Sequence, residues 1–168
     1  MTARQRHIIS ILLQNEVGAL TRVAGLFSTR GYNIESLNVA ATDDPTVSRI
    51  TLVTTGTEAV IQQIVNQSLK LVDVVNVDDM TVDAHIEREL LLLKMKVSPN
   101  DLDTVRKAVE EAHARVLADD PASFTIELTD SEAHVTRFIQ SAGKFGEVME
   151  VVRSGALAVY AGATTLKA

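Results

Sequence analysis

From His7 to Leu13 the chain reads H-I-I-S-I-L-L, a short run of aliphatic and β-branched residues. From Ala19 to Arg30 the period changes, and Leu20, Val23, Ala24 and Phe27 recur at i, i+3, i+4 and i+7. A strand therefore gives way to a helix, closed by Gly31 where a left-handed turn costs no side chain. Ile34 to Ala41 predicts a second strand, Thr42-Asp43-Asp44-Pro45-Thr46 a turn, and Ser48 to Thr55 a third strand that pairs with the second as a hairpin. Gly56-Thr57 opens a second helix with Val60, Ile61, Ile64, Val65 and Leu69 on one stripe, and Val72 to Val77 predicts a fourth strand.

The order βαββαβ makes a four-stranded antiparallel sheet with both helices on one face, because each right-handed crossover returns its helix to the same side. Asp78 to His85 is polar and acidic and reads as a linker. Beyond it the order recurs more weakly. Ile86 to Val97 predicts a strand, Asp101 to His113 a helix, Val116 to Ala118 and Ser123 to Thr129 two strands about a D-D-P-A turn, Asp130 to Gly143 a helix, and Val148 to Val152 a last strand. The expected fold is α+β, two ferredoxin-like units in tandem, the first over residues 1–80 and the second over 81–168.

The first strand is apolar on both faces, with Ile9, Ile11 and Leu13 on one and Ile8 and Leu12 on the other, broken only by Ser10. Helices on one side of a sheet cover only one face. The other face needs a cover from the second domain or from another chain, and an oligomer is expected.

Composition removes several function classes. With 46% hydrophobic and 23% charged residues the chain is globular rather than disordered. The net charge of −6 is shared evenly: Met1 to Asp83 carries 6 Lys+Arg against 9 Asp+Glu, and Ala84 to Ala168 carries 10 against 13, so neither half offers a basic surface to nucleic acid. The absence of Cys excludes a disulfide framework, thiolate metal sites and a Cys nucleophile, and fits a reducing cytoplasm. The N-terminal run M-T-A-R-Q-R-H-I-I-S-I-L-L has no small-residue cleavage site, and no stretch approaches the ~18 apolar residues of a membrane span. A cytoplasmic, unanchored protein is expected.

The chemistry-bearing residues are sparse. An RNA-recognition module would need aromatic residues on its central strands, and R-I-T-L-V-T-T has none. His7, His85, His113 and His134 lack metal-ligand spacing and read as surface or linker histidines. Asp43-Asp44-Pro45 and Asp119-Asp120-Pro121 are turn chemistry. An acylphosphatase-like cradle could nominate Arg22 and Asn38, but Gly18 stands alone and Arg22 lies a full turn inside the helix. No enzyme constellation emerges, and no basic recognition helix marks a transcription regulator.

The stretch N-E-V-G-A-L-T-R, Asn15 to Arg22, remains. Gly18 permits a tight strand-to-helix turn; it would also let an anion approach the N–H groups of the first helical turn, Gly18 to Leu20, where the helix dipole favours negative charge. Asn15 and Asn33, each with donor and acceptor, suit a zwitterion. They lie at opposite ends of the first helix and could meet across a dimer interface. Ala40, Val17, Leu20 and Ile34 could line a pocket for a short apolar side chain.

The pattern N-x-x-G-x-L-x-x-V-x-x-L-F followed by R-G-Y-N-I-E-S-L resembles the ACT domain, a sensor that commonly binds amino acids. The string from Gly18 to Arg49, with L-V-D-V, H-I-E-R-E-L-L-L-L-K and E-V-V-R-S-G downstream, resembles the small regulatory subunits of acetohydroxyacid (acetolactate) synthase. The resemblance implies a non-catalytic homodimer that activates a large catalytic subunit and confers feedback inhibition by a branched-chain amino acid, typically valine. Thiamine diphosphate, Mg and FAD are then expected in the catalytic subunit, and no cofactor in this chain. Carried over by position, the effector site would comprise Asn15, Gly18, Ala19 and Leu20 on one side and Asn33, Ile34 and Ala40 on the other. A stand-alone amino-acid sensor acting on another partner is the alternative.

Overall fold

The computed structural model describes residues 3–167. Its elements follow in the order β1 (Gln5–Gln14), α1 (Ala19–Thr29), β2 (Ser36–Ala41), β3 (Val47–Gly56), α2 (Glu58–Ser68), β4 (Val74–Asp79), β5 (His85–Lys96), α3 (Leu102–Glu111), β6 (Arg115–Ala118), β7 (Phe124–Asp130), α4 (Glu132–Ala142), β8 (Glu147–Arg153) and β9 (Leu157–Tyr160). A 3-10 turn, Pro99–Asp101, leads into α3. The expected α+β fold, βαββαβ twice, is therefore present, with one further strand at the C-terminal end. Two compact units divide the chain: one runs to Ile86 and resumes at Gly155, the other is Glu87–Ser154. Residues 155–167 thus belong with the first unit, whereas the sequence reading put them in the second.

In the first unit the strand order is β2-β3-β1-β4, antiparallel throughout. On the helix side, Ile9, Ile11, Leu13, Ile50 and Leu52 bury against Val23 and Phe27 of α1 and Ile61 and Ile64 of α2. Each such aliphatic side chain contributes about 1.5–3 kcal/mol by leaving water. Tyr32 and Phe27 pack edge to face, with 5.9 Å between ring centroids.

The other sheet face is covered by the chain's own C-terminal residues. Ala156, Ala158 and Tyr160 pack on Ile8, Val53 and Met80 in a separate apolar cluster. The doubly apolar β1 is accounted for within one chain. His7 is not a surface histidine: it is buried, with Nδ1 2.8 Å from Asp79 Oδ2. As the third residue of a central strand it lies on the same face as Ile9, Ile11 and Leu13, and the carboxylate of Asp79, opposite Ile9, satisfies its ring nitrogen.

The second unit builds its sheet in the order β6-β7-β5-β8. Leu91, Leu93 and Met95 of β5 and Phe124, Ile126 and Leu128 of β7 bury against Val105, Val109, Val135 and Phe138. Glu89 is buried at 4% exposure and takes two hydrogen bonds from Arg153, at 2.6 and 2.9 Å. A bidentate guanidinium–carboxylate pair of this kind offsets the cost of removing the carboxylate from water.

Candidate functional site

The turn between β1 and α1 is tied to the β2–β3 turn. The Asn15 N–H donates to the Thr46 carbonyl at 2.7 Å, and Asn15 Nδ2 donates to the Pro45 carbonyl at 3.0 Å. That leaves the side-chain amide oxygen of Asn15 as its open acceptor. Gly18 is the N-cap of α1 at φ 88°, ψ −10°, and no side chain caps the helix. The Ala19 N–H bonds the Glu16 carbonyl at 3.2 Å and the Arg22 N–H bonds the Gly18 carbonyl at 3.0 Å. Among the described residues, the Leu20 and Thr21 N–H groups have no backbone acceptor.

Arg22 lies over this bare end. Its Nε donates to Asp73, whose side chain is 7% exposed, while the arginine side chain is 45% exposed. A β-carbon on Gly18 would stand 3.0 Å from Arg22 Nη1. The hydrogen bond from Arg22 holds the Asp73 carboxyl below the usual carboxylate range, and the same bond raises Arg22. The Asp73 carbonyl accepts the Gln14 N–H at 2.8 Å, which fixes this loop to the end of β1. Sequence reasoning set Arg22 aside for lying a turn inside the helix. That spacing is the signal it missed, because residue i+4 stands directly over residue i. Asp73, 51 residues further on, has no local signature.

Of the other nominated residues, Ala19 is buried in the core and seats the helix, whereas Leu20 is 39% exposed beside Gly18. Asn33 and Ile34 lie beyond the other end of α1, an 11-residue helix about 16 Å long. The Asn33 carbonyl accepts the Thr54 hydroxyl at 2.6 Å, and Ile34 packs on the core. Asn33 borders a cleft of about 370 Å³ with Arg4, Arg30, Tyr32, Thr54 and Thr57. Ala40 is opposite Arg49, and Arg49 opposite Leu12, so Ala40 sits at the Asn15 end of the sheet. It shares the outer face with Asn38, away from α1, because side chains alternate along a strand. One chain therefore brings together Asn15, Gly18, Ala19 and Leu20, and places Asn33 with Ile34 at the opposite end. Among the described residues no group of three or more His, Asp or Glu is placed to hold a metal ion, and no helix is long and apolar enough to cross a membrane.

Comparison with known proteins agrees with this architecture. Residues 9–76 match the model of the AHAS small subunit-like ACT domain, and residues 88–162 match that of the small subunit of acetolactate synthase. The chain is 44% identical over 157 residues to the acetolactate synthase isozyme 3 small subunit of Escherichia coli, covering 94% of this chain and 96% of that one. It is 41% identical over 157 residues to the acetolactate synthase small subunit of Haemophilus influenzae, with the same coverage. The crystal structure of the acetolactate synthase small subunit from Thermotoga maritima superimposes with a TM-score of 0.83 at 31% identity, over 92% of this chain and 96% of that one. The chain belongs to the acetolactate synthase small-subunit family, non-catalytic subunits whose first domain is an ACT domain.

Proposed function

We propose that the chain works as a homodimer that activates the large catalytic subunit of acetolactate synthase and makes it sensitive to feedback inhibition by a branched-chain amino acid, valine first among the candidates. Thiamine diphosphate, Mg and FAD serve the condensation in the large subunit, and this chain contributes no cofactor. The observation that carries the reading is the uncapped start of α1, with bare backbone at Gly18 and a guanidinium beside it. A carboxylate there accepts from the Leu20 and Thr21 N–H groups and from Arg22, and the helix dipole adds to the attraction.

The edge position of β2 supports a site completed by a second copy. Two β2 strands pairing antiparallel set the Ser36 end of one beside the Ala41 end of the other. Ala41 lies at the same end of the sheet as Asn15, and Asn33 and Ile34 precede Ser36. Asn33 and Ile34 of one copy then face Asn15, Gly18 and Leu20 of the other, with Ala40 in the pairing seam. The ammonium meets the two asparagines, and the aliphatic side chain lies against Leu20 and Ile34. Inhibition requires that the ligand bind one arrangement of the dimer more tightly than the other; a coupling of ~1–3 kcal/mol corresponds to about 5- to 150-fold.

Calorimetry with valine, leucine and isoleucine, alongside sedimentation equilibrium and synthase assays with the large subunit, tests this reading. Binding is expected at a stoichiometry set by the dimer, and Asn33→Ala is expected to weaken it by ~1–3 kcal/mol. A monomer at micromolar concentration that binds valine normally would refute the shared site.

A further inference from the structure

Residues 155–167 cross the outer face of the first unit and grip all four of its strands. At β2, Gly155 adopts φ +78°, and a β-carbon there would stand 2.7 Å from Ser36 Cβ. Beside it, Asn38 Nδ2 donates to the Ala156 carbonyl at 3.2 Å. At β3, Arg49 donates to the Ala158 carbonyl at 3.0 Å. Over β1, Ala156, Ala158 and Tyr160 enclose Ile8. At β4, the Tyr160 hydroxyl donates to Asp78, and Asn76 Nδ2 donates to the Lys167 carbonyl at 2.8 Å. Three of these grips are side-chain donors on backbone carbonyls, and the residues nearest β2 are Gly and Ala. Close approach of backbone to sheet is what holds the segment.

The grip matters most at β2. An edge strand has one ladder, here with β3, and is the part of a sheet that opens most readily. Asn38 and the wedge between Ser36 and Gly155 give β2 a second set of ties from the face. We propose that Gly155–Tyr160 is a positioning strap for the effector-sensing strand: it holds β2 in place, so that Asn33 and Ile34 at its head are presented in register to the second copy. Neither Gly155 nor Asn38 touches the effector; both act through β2, by lowering the ordering cost that binding must meet. The inference rests on the effector reading above.

The test uses full-length variants. In Gly155→Val the dissociation constant for valine is expected to rise at least about five-fold, with faster hydrogen exchange at Asn38 and Ala40, whose N–H groups face β3, and unchanged exchange in α4. Asn38→Ala, which removes a single hydrogen bond, should shift both readouts in the same direction by less. Gly155→Ala should also weaken binding, and adding Ser36→Gly, which removes the two nearest obstructing atoms, should recover part of the loss; a general loosening would not be recovered. Wild-type affinity in Gly155→Val despite faster exchange at β2, or no recovery in the double variant, overturns the strap and leaves the effector reading standing. Failure of the wild-type chain to bind any of the three amino acids overturns both.

Discussion

Arg22 and Gly18 are matched: the guanidinium occupies the space into which any side chain at position 18 would project, with Nη1 3.0 Å from the β-carbon position. The glycine thus serves two needs at once, a left-handed φ of 88° and room for a neighbour held in place by Asp73.

Substitution at Gly18 should therefore cost stability as well as ligand. Gly18→Ala and Gly18→Asp are each expected to lose about 1–2 kcal/mol of folding stability from the left-handed backbone alone. The aspartate should also compete with Asp73 for Arg22 and repel the ligand's carboxylate, so valine binding falls further in Gly18→Asp than in Gly18→Ala. Urea unfolding and calorimetry on the two variants check this, and equal loss of binding in both would show that charge plays no part.

The Arg22–Asp73 pair should make stability depend on acid. Asp73 titrates lower in the folded chain than in the unfolded one, so the unfolded state binds the proton more readily. The stabilisation is fully present above the unfolded carboxylate value of about 3.9 and is lost as pH falls through the lower folded value. Asp44 and Asp130, both also lowered by hydrogen bonds, add in the same direction. Denaturation midpoints between pH 6 and pH 2.5 should fall less steeply in Asp73→Asn than in the wild type.

His113 is the one non-glycine residue with positive φ among those described, at 55°, just after α3. Glycine is the residue best suited to that position. His113→Gly should raise stability by roughly 0.5–1 kcal/mol, the left-handed penalty relieved less the added chain entropy. Thermal unfolding reads the gain. His113→Ala should leave the response to valine unchanged, since the residue is remote in sequence and chemistry from Gly18.

Periodicity carried most of this fold. The helix expected at Ala19 to Arg30 is Ala19–Thr29, and the strand expected at Ile86 to Val97 is His85–Lys96. Long amphipathic segments report their own structure because burial imposes the period. β9 was invisible for the converse reason: its larger aliphatics, Leu157 and Val159, are each 53% exposed, while Ala158 and Tyr160 face inward. Its apolar partners, Ile8, Val53 and Met80, lie far earlier in the chain, beyond the reach of any local pattern. At the site, the bare backbone of Gly18 was legible because α1 begins there. The facing of Ala40 was not, since a six-residue edge strand with mixed composition does not declare which side it buries.

The strap also sets an order of synthesis. Domains generally fold as units, the N-terminal one first as the chain emerges. Here Ile8, near the beginning, waits for Ala156, Ala158 and Tyr160, near the end, while the whole of Glu87–Ser154 is made in between. The first unit is thus finished only after the second has been made, and until then one face of its sheet stands uncovered.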